Sequence, residues 1–253
     1  MFLKLHKTTP MCMINGELGL KEISEYIDNR MLNFWRNLAT GDENKISSIL
    51  YQWINIEYLK YNDITKTLPY KSVWLDKIKT ILNEINSTDI FDDITNLDKN
   101  WFKNNMKTKL DYVYTKKWVE VVNNNSVCVN YKFLTLSKRM QNYIVNLPKP
   151  YIYSFLKFKC ANHYMPIVAG RYSQTPIDKR KCILCNMEQI GDEYHYLLNC
   201  PYFCEYRIKY LKLYYHTQPS VWKMTQLFES TDPKEILNLA KFVSIIVKHF
   251  RSK

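Results

Sequence analysis

The stretch KRKCILCNMEQIGDEYHYLLNC, residues 179–200, constrains this chain more than any other. Two residues separate Cys182 from Cys185, nine separate Cys185 from His195, and four separate His195 from Cys200. A Cys-x-x-Cys turn aims two thiolates at one point, and a histidine with a cysteine five residues on projects from one short helix or turn. Such a set suits tetrahedral Zn2+, with bonds of ~2.3 Å to sulfur and ~2.0 Å to nitrogen. Four protein ligands leave no position for a reactive water, so the expected role of the zinc is structural. Binding of that kind contributes roughly 10–16 kcal/mol to a module without a core of its own. Cys204 offers a competing, all-cysteine set, in which His195 would be a core histidine between Tyr194 and Tyr196. A redox pairing of Cys182 with Cys185 lacks the thioredoxin-like strand–helix setting.

Cysteine usage fits that reading. Seven cysteines leave one over from any full set of disulfides. The first twenty residues do not follow the order of a signal peptide, and no run approaches the roughly 18 apolar residues of a membrane span. The expectation is a soluble intracellular protein, nuclear or cytoplasmic, with no membrane partner, in which clustered thiols bind metal.

Charge points to a polyanion. The formal net charge is +12, unevenly spread. Residues 121–181 hold ten Lys or Arg against the single acid Asp178, whereas 182–204 hold three acids and no Lys or Arg. A long, nearly acid-free segment attracts nucleic acid, RNA or DNA. Lys157, Lys159, Arg171, Lys179, Arg180 and Lys181 approach or flank the zinc motif, Lys209 and Lys212 follow it, and Tyr151, Tyr153, Tyr164 and Tyr172 interleave with the first group. Basic groups release counterions from phosphates while aromatic faces stack on unpaired bases. Half of these tyrosines are expected in the core.

The periodicity predicts an all-α protein. Ile23, Ile27, Met31, Phe34 and Leu38 fall at helical spacing up to Thr40-Gly41. Further helices are expected from Lys45 to near Tyr58, from Ser72 with Trp74, Ile78, Ile81, Leu82 and Ile85 on one face, over Trp101–Val121, and over Tyr151–Cys160. Residues 87–98 read as a polar connection, 126–134 as one short strand, and 164–181, with Pro166 and Pro176, as an extended linker. After the zinc motif, Phe203, Tyr206, Tyr210 and Leu213 make one stripe of a helix, and Ile208, Leu211 and Tyr215 another. Asp232, Pro233 and Glu235 start a final helix with a capping-box pattern. The architecture expected is a helical bundle with a small irregular CCHC module inserted before the last helices. Its segments are 1–60, a basic helical region 61–160, linker plus zinc knuckle 161–204, and C-terminal helices 205–253.

Catalytic signals are sparse. Five glycines nearly exclude glycine-rich phosphate loops. Asp92-Asp93 has Phe91 one place off an aromatic-x-Asp-Asp polymerase motif and reads as a cap or polar turn. His6, His163, His216 and His249 are scattered. The chain is therefore expected not to be an enzyme. A helical protein-interaction domain with architectural zinc is the alternative reading.

Beyond the cysteines, Asn162, His163, Pro166, Ile167, Gly170 and Arg171 follow Asn-His-x-Leu-Pro-Ile-Glu-x-Gly-Arg, with Met165 for leucine and Val168 for glutamate. Arg180, Cys182, Cys185, Gly191, Asp192, Glu193, His195, Tyr196, Cys200 and Pro201 follow Arg-x-Cys-x-x-Cys, Gly-Asp-Glu-x-His-Tyr and Cys-Pro. These motifs, with INGELGL, RMLNFWRNL and KISSILY towards the amino end, resemble the carboxy-terminal region of reverse transcriptases of invertebrate non-LTR retrotransposons, jockey-like elements among them. The resemblance covers nearly the whole chain. It implies a tail that follows the polymerase thumb and grips template RNA and target DNA, without the palm aspartates or the endonuclease, and with the rest of a retrotransposon polymerase as partner. It also implies that Cys182, Cys185, His195 and Cys200 hold the zinc, with Cys204 outside.

Overall fold

The computed structural model describes residues 4–63, 72–94 and 97–250. It is mainly helical, and no strand occurs among the described residues. The chain forms two compact units. One comprises residues 1–20 and 118–253, the other residues 21–117. This division is not the one into 1–60, 61–160, 161–204 and 205–253 expected from sequence; the cysteine-rich segment shares one core cluster with residues of the helix Lys149–Lys159 and the C-terminal helices.

The unit of residues 21–117 is built from α2 (Ile23–Ala39), α3 (Ile46–Asp63), α4 (Val73–Glu84) and most of α5 (Lys99–Asn124). Ser72 caps α4 by accepting from the Leu75 amide, which frees the helix start from an unpaired donor. The α2 helix forms where its period predicts, yet Ile23, Ile27 and Phe34 lie exposed and Leu32, Trp35, Asp28 and Glu25 are buried. Trp35 decides the orientation. Its ring stacks on Phe91 at 5.4 Å, and its Nε1 donates to Tyr51 Oη at 2.9 Å. Burial of Asp28 is compatible with this because Tyr114 Oη donates to its carboxylate at 2.8 Å. The polar connection expected over 87–98 also contributes core: a 3-10 turn at Thr88–Phe91 buries Ile90 and Phe91 and ends on Asp92, with Asp93 just beyond it. Residues 95 and 96 of that connection lie outside the described residues.

In the other unit, α1 (Met11–Leu18) ends on Gly19, whose φ of 63° closes the helix in the left-handed conformation that glycine tolerates best. Three short or medium helices follow α5: α6 (Tyr131–Leu134), α7 (Asn142–Asn146) and α8 (Lys149–Lys159). The strand expected over 126–134 is therefore a turn leading into α6; Tyr131 and Leu134, three apart, bury together. Residues 164–181 are not an extended linker. Pro166 opens α9 (Pro166–Tyr172), since its missing N–H costs nothing at a helix start. After the cysteine-rich segment come α10 (Cys204–Tyr210), α11 (Leu213–His216), α12 (Val221–Phe228) and α13 (Pro233–His249). The single helix expected from Phe203 to Tyr215 breaks at Leu211, which is extended and buried.

Helices α8 and α13 form the centre of this core. Phe155 and Phe158 meet Phe228 at 5.1 and 6.0 Å, and Phe242, Val243 and Val247 are buried on α13. Asp232 caps α13 as its sequence predicts, accepting from the Lys234 amide at 2.9 Å; Glu235 binds the Ser230 hydroxyl instead of closing a capping box.

One ion pair lies inside this core. Lys159 Nζ stands 3.1 Å from Glu17 Oε1, with neither side chain exposed. Thr135 donates to the same carboxylate at 2.6 Å, as does Tyr143 Oη, and Lys159 lies 5.1 Å from the Tyr143 ring centroid. Lys159, assigned from sequence to nucleic acid, is thus a core residue. Its place on the buried side of α8 leaves it no access to a phosphate.

Candidate metal centre

Cys182 and Cys185 lie on the turn that follows a 3-10 segment, Ile177–Lys179, while His195 opens a single π-helical turn, His195–Asn199. The wide turn is closed by the Cys200 amide donating to the His195 carbonyl at 2.7 Å, so that His195 and Cys200 face the same point. Asp192 sets where this turn begins, accepting the His195 amide at 2.8 Å. A bridge between Lys181 and Ile190 brings the cysteine turn back against it.

The four candidate ligand atoms all lie within 4.8 Å of one another. Cys182 Sγ and Cys200 Sγ are 3.9 Å apart, and Cys185 Sγ and His195 Nε2 are 3.4 Å apart. Cys204 is exposed at the start of α10 and stands outside the group. The histidine-containing set is the one brought together; the all-cysteine set is not.

The electrostatics suit a cation. Burial raises the Cys200 thiol to about 12, with Cys182 and Cys185 adding to the effect. Burial also opposes the Cys182 thiolate, but donors around it, the Leu184 amide at 3.3 Å among them, outweigh it and lower its pKa. Burial first, then the Arg207 charge, holds His195 below its ordinary value and so neutral. Gln189 Oε1 lies 2.9 Å from His195 Nδ1 and can only accept there, so Nδ1 carries the proton and Nε2 offers its lone pair to the centre. Cysteine binds metal as the thiolate, so an ion entering this group would displace the thiol protons.

A supporting shell was not foreseen from sequence. The buried guanidinium of Arg207 donates to the Leu197 carbonyl at 2.9 Å and the Cys200 carbonyl at 2.8 Å, closing the end of the ligand turn. Only three-dimensional proximity reveals it. Asp192 is different, because an Asp three residues before a turn-opening amide is a visible local signal. Burial and then the Glu193 charge raise its carboxyl to about 6. Glu193 itself is buried against His163 Nε2 at 2.8 Å and Asn130. Burial opposes the Glu193 charge, yet these partners lower its pKa.

The basic residues named from sequence divide sharply. Lys179, Lys181 and Lys209 are exposed, and Lys157 and Arg171 half-buried. Lys212 is exposed but lies 3.2 Å from Glu235. Arg180 is corrected to a structural role: its Nε donates to Thr175 O at 2.8 Å and its Nη1 to Ile167 O at 2.9 Å, tying α9 to the cysteine turn. A methyl group added to Gly170 would lie 2.6 Å from Arg180 Cγ. Gly170→Ala is therefore expected to cost about 1–3 kcal/mol in thermal unfolding, and to cost little more once Arg180→Ala has removed the clash.

The fold and site together define an all-helical protein with a Cys3His group able to hold a metal ion. No protein-family model matches the chain, and neither a curated protein nor a solved structure matches it. No helix among the described residues is long and apolar enough to cross a membrane.

Proposed function

We propose that the chain binds RNA or DNA without acting on it chemically, and that a structural zinc ion organises the binding surface. The observation that carries the zinc assignment is the spacing of the ligand atoms. Bonds of ~2.3 Å to sulfur and ~2.0 Å to nitrogen at tetrahedral angles put two sulfurs about 3.8 Å apart, and sulfur and nitrogen about 3.5 Å apart. The distances here are 3.9 and 3.4 Å. Thiolates with imidazole favour zinc over harder cations. Cys182, Cys185, His195 and Cys200 would fill its shell, so its contribution is a fixed fold and not an activated water.

The nucleic-acid reading rests on charge placement. Lys157, Arg171, Lys179 and Lys181 retain exposure, in a segment whose only acid is Asp178. The motif resemblance to the post-polymerase region of non-LTR retrotransposon reverse transcriptases supports the same reading, with a polymerase as the natural companion. If those four cations each meet a phosphate, affinity for a single-stranded oligonucleotide should fall about 50-fold between 50 and 200 mM salt, a slope near −3 on logarithmic axes. Fluorescence anisotropy measures this, and an affinity independent of salt overturns the reading.

One observation favours a second reading. Ile23, Ile27 and Phe34 of α2, and Ile46, Ile49 and Trp53 of α3, are exposed in the unit of residues 21–117. Apolar exposure on this scale suits a protein partner. Capture of a partner that survives nuclease treatment, together with absent oligonucleotide binding, would replace the first reading with this one.

A further inference from the structure

A cleft of about 370 Å3 opens on the unit that carries the metal centre. We propose that it holds an unpaired nucleotide of a single strand, which rests on the nucleic-acid reading above and names the surface responsible. Its walls include Lys4, His6, Lys157, Asn162, Tyr164 and Tyr172, and no Asp or Glu lines it. The volume falls within the ~300–1,000 Å3 of small-ligand sites.

Two sequence-distant segments build the cleft: the residues before α1, and the stretch from the last turn of α8 through the α8–α9 connection to α9. Lys4 is held at 4.7 Å from the Tyr153 ring centroid, which fixes its cation at the rim. His163 forms part of the wall, but both its nitrogens are engaged, Nε2 with Glu193 at 2.8 Å and Nδ1 with the Met165 amide at 3.3 Å. The groups left for a ligand are therefore cations, the Asn162 side chain and two aromatic rings.

Those rings distinguish a nucleotide from a simple anion. Tyr164 is 60% exposed and Tyr172 66% exposed, so folding does not use most of either surface. Tyrosine faces at a cation-lined cleft stack on bases while the cations take the phosphates. Bases already stacked and paired in a duplex cannot offer that face.

The test is anisotropy with a fluorescein-labelled oligouridylate, the matching oligodeoxyuridylate, and a duplex of equal length, using the full metal-loaded chain. Tyr164→Ala with Tyr172→Ala is expected to weaken single-strand binding at least fivefold, with Phe at both positions restoring it. Lys157→Gln is expected to lower the logarithmic salt slope by about 0.7. Metal content and helical circular dichroism of each variant confirm an unchanged fold. Wild-type binding that persists unchanged in the alanine variant, or duplex bound as tightly as single strand, overturns the cleft and leaves the broader reading standing. No wild-type binding to any probe at low salt overturns both. Preference between the two single strands separates RNA from DNA.

Discussion

His195→Ala is expected to abolish stoichiometric metal binding, while Cys204→Ala leaves one ion per chain. The difference follows from geometry: His195 Nε2 stands within the four-ligand group, and Cys204 is exposed beyond it. Native mass spectrometry reads the outcome directly. The effect on stability should be as large, because the ligand turn is continuous with the main core. Tyr196, Leu197, Leu198, Cys200 and Phe203 are buried in the same cluster as α8 and α13, and Tyr196 meets Phe250 at 4.6 Å. A structural zinc contributes roughly 10–16 kcal/mol, comparable to the 5–15 kcal/mol that hold a whole domain folded. Chelation is therefore expected to unfold the metal-bearing unit and not merely to loosen a loop. A well-folded wild-type protein prepared with zinc yet containing none would refute the assignment.

Lys159→Met should be the most damaging substitution outside the metal centre. It leaves the Glu17 carboxylate wholly enclosed, with Thr135 and Tyr143 as its remaining donors. Breaking a buried pair from one side costs about 3–5 kcal/mol, because the surviving charge has no water to return to. Glu17→Gln combined with Lys159→Met removes both charges and is expected to recover most of the loss. Urea unfolding followed by circular dichroism tests both statements. If the double variant is no more stable than Lys159→Met alone, the pair is not the source of the defect.

What the sequence disclosed follows the range of the interactions. The Cys3His group was legible because the convergence of Cys-x-x-Cys and of His with Cys five residues on is set by local spacing, and the Asp232 cap because it acts within two residues. The orientation of α2 was not legible. Ile23, Ile27 and Phe34 offer a good helical stripe, but Trp35 has better partners in Tyr51 and Phe91, the latter more than fifty residues away. Distance along the chain hid the fate of Lys159 in the same way, since nothing near it announces Glu17. Pro166 misled for another reason. The same ring that breaks a helix interior favours a helix start, and only the packing of Ile167 and Val168 selects between the two.

The division of the chain also bears on the order in which a growing polypeptide can assemble. Residues 21–117 carry a complete core and can condense once they have emerged. Helix α1 is made before them, but its eight residues are too few to persist alone in water. Its Glu17 meets Thr135, Tyr143 and Lys159, the last of which is synthesised 142 positions later. At ~5–20 residues per second that delay is roughly 7–30 s. Until then α1 can meet only the earlier-made parts of its own unit, among them Trp118, which donates to the Cys12 carbonyl at 2.8 Å, and Tyr131, which donates to the Met13 carbonyl at 3.0 Å. The Glu17 carboxylate thus waits longest for its cation, after both of its hydroxyl donors have been made.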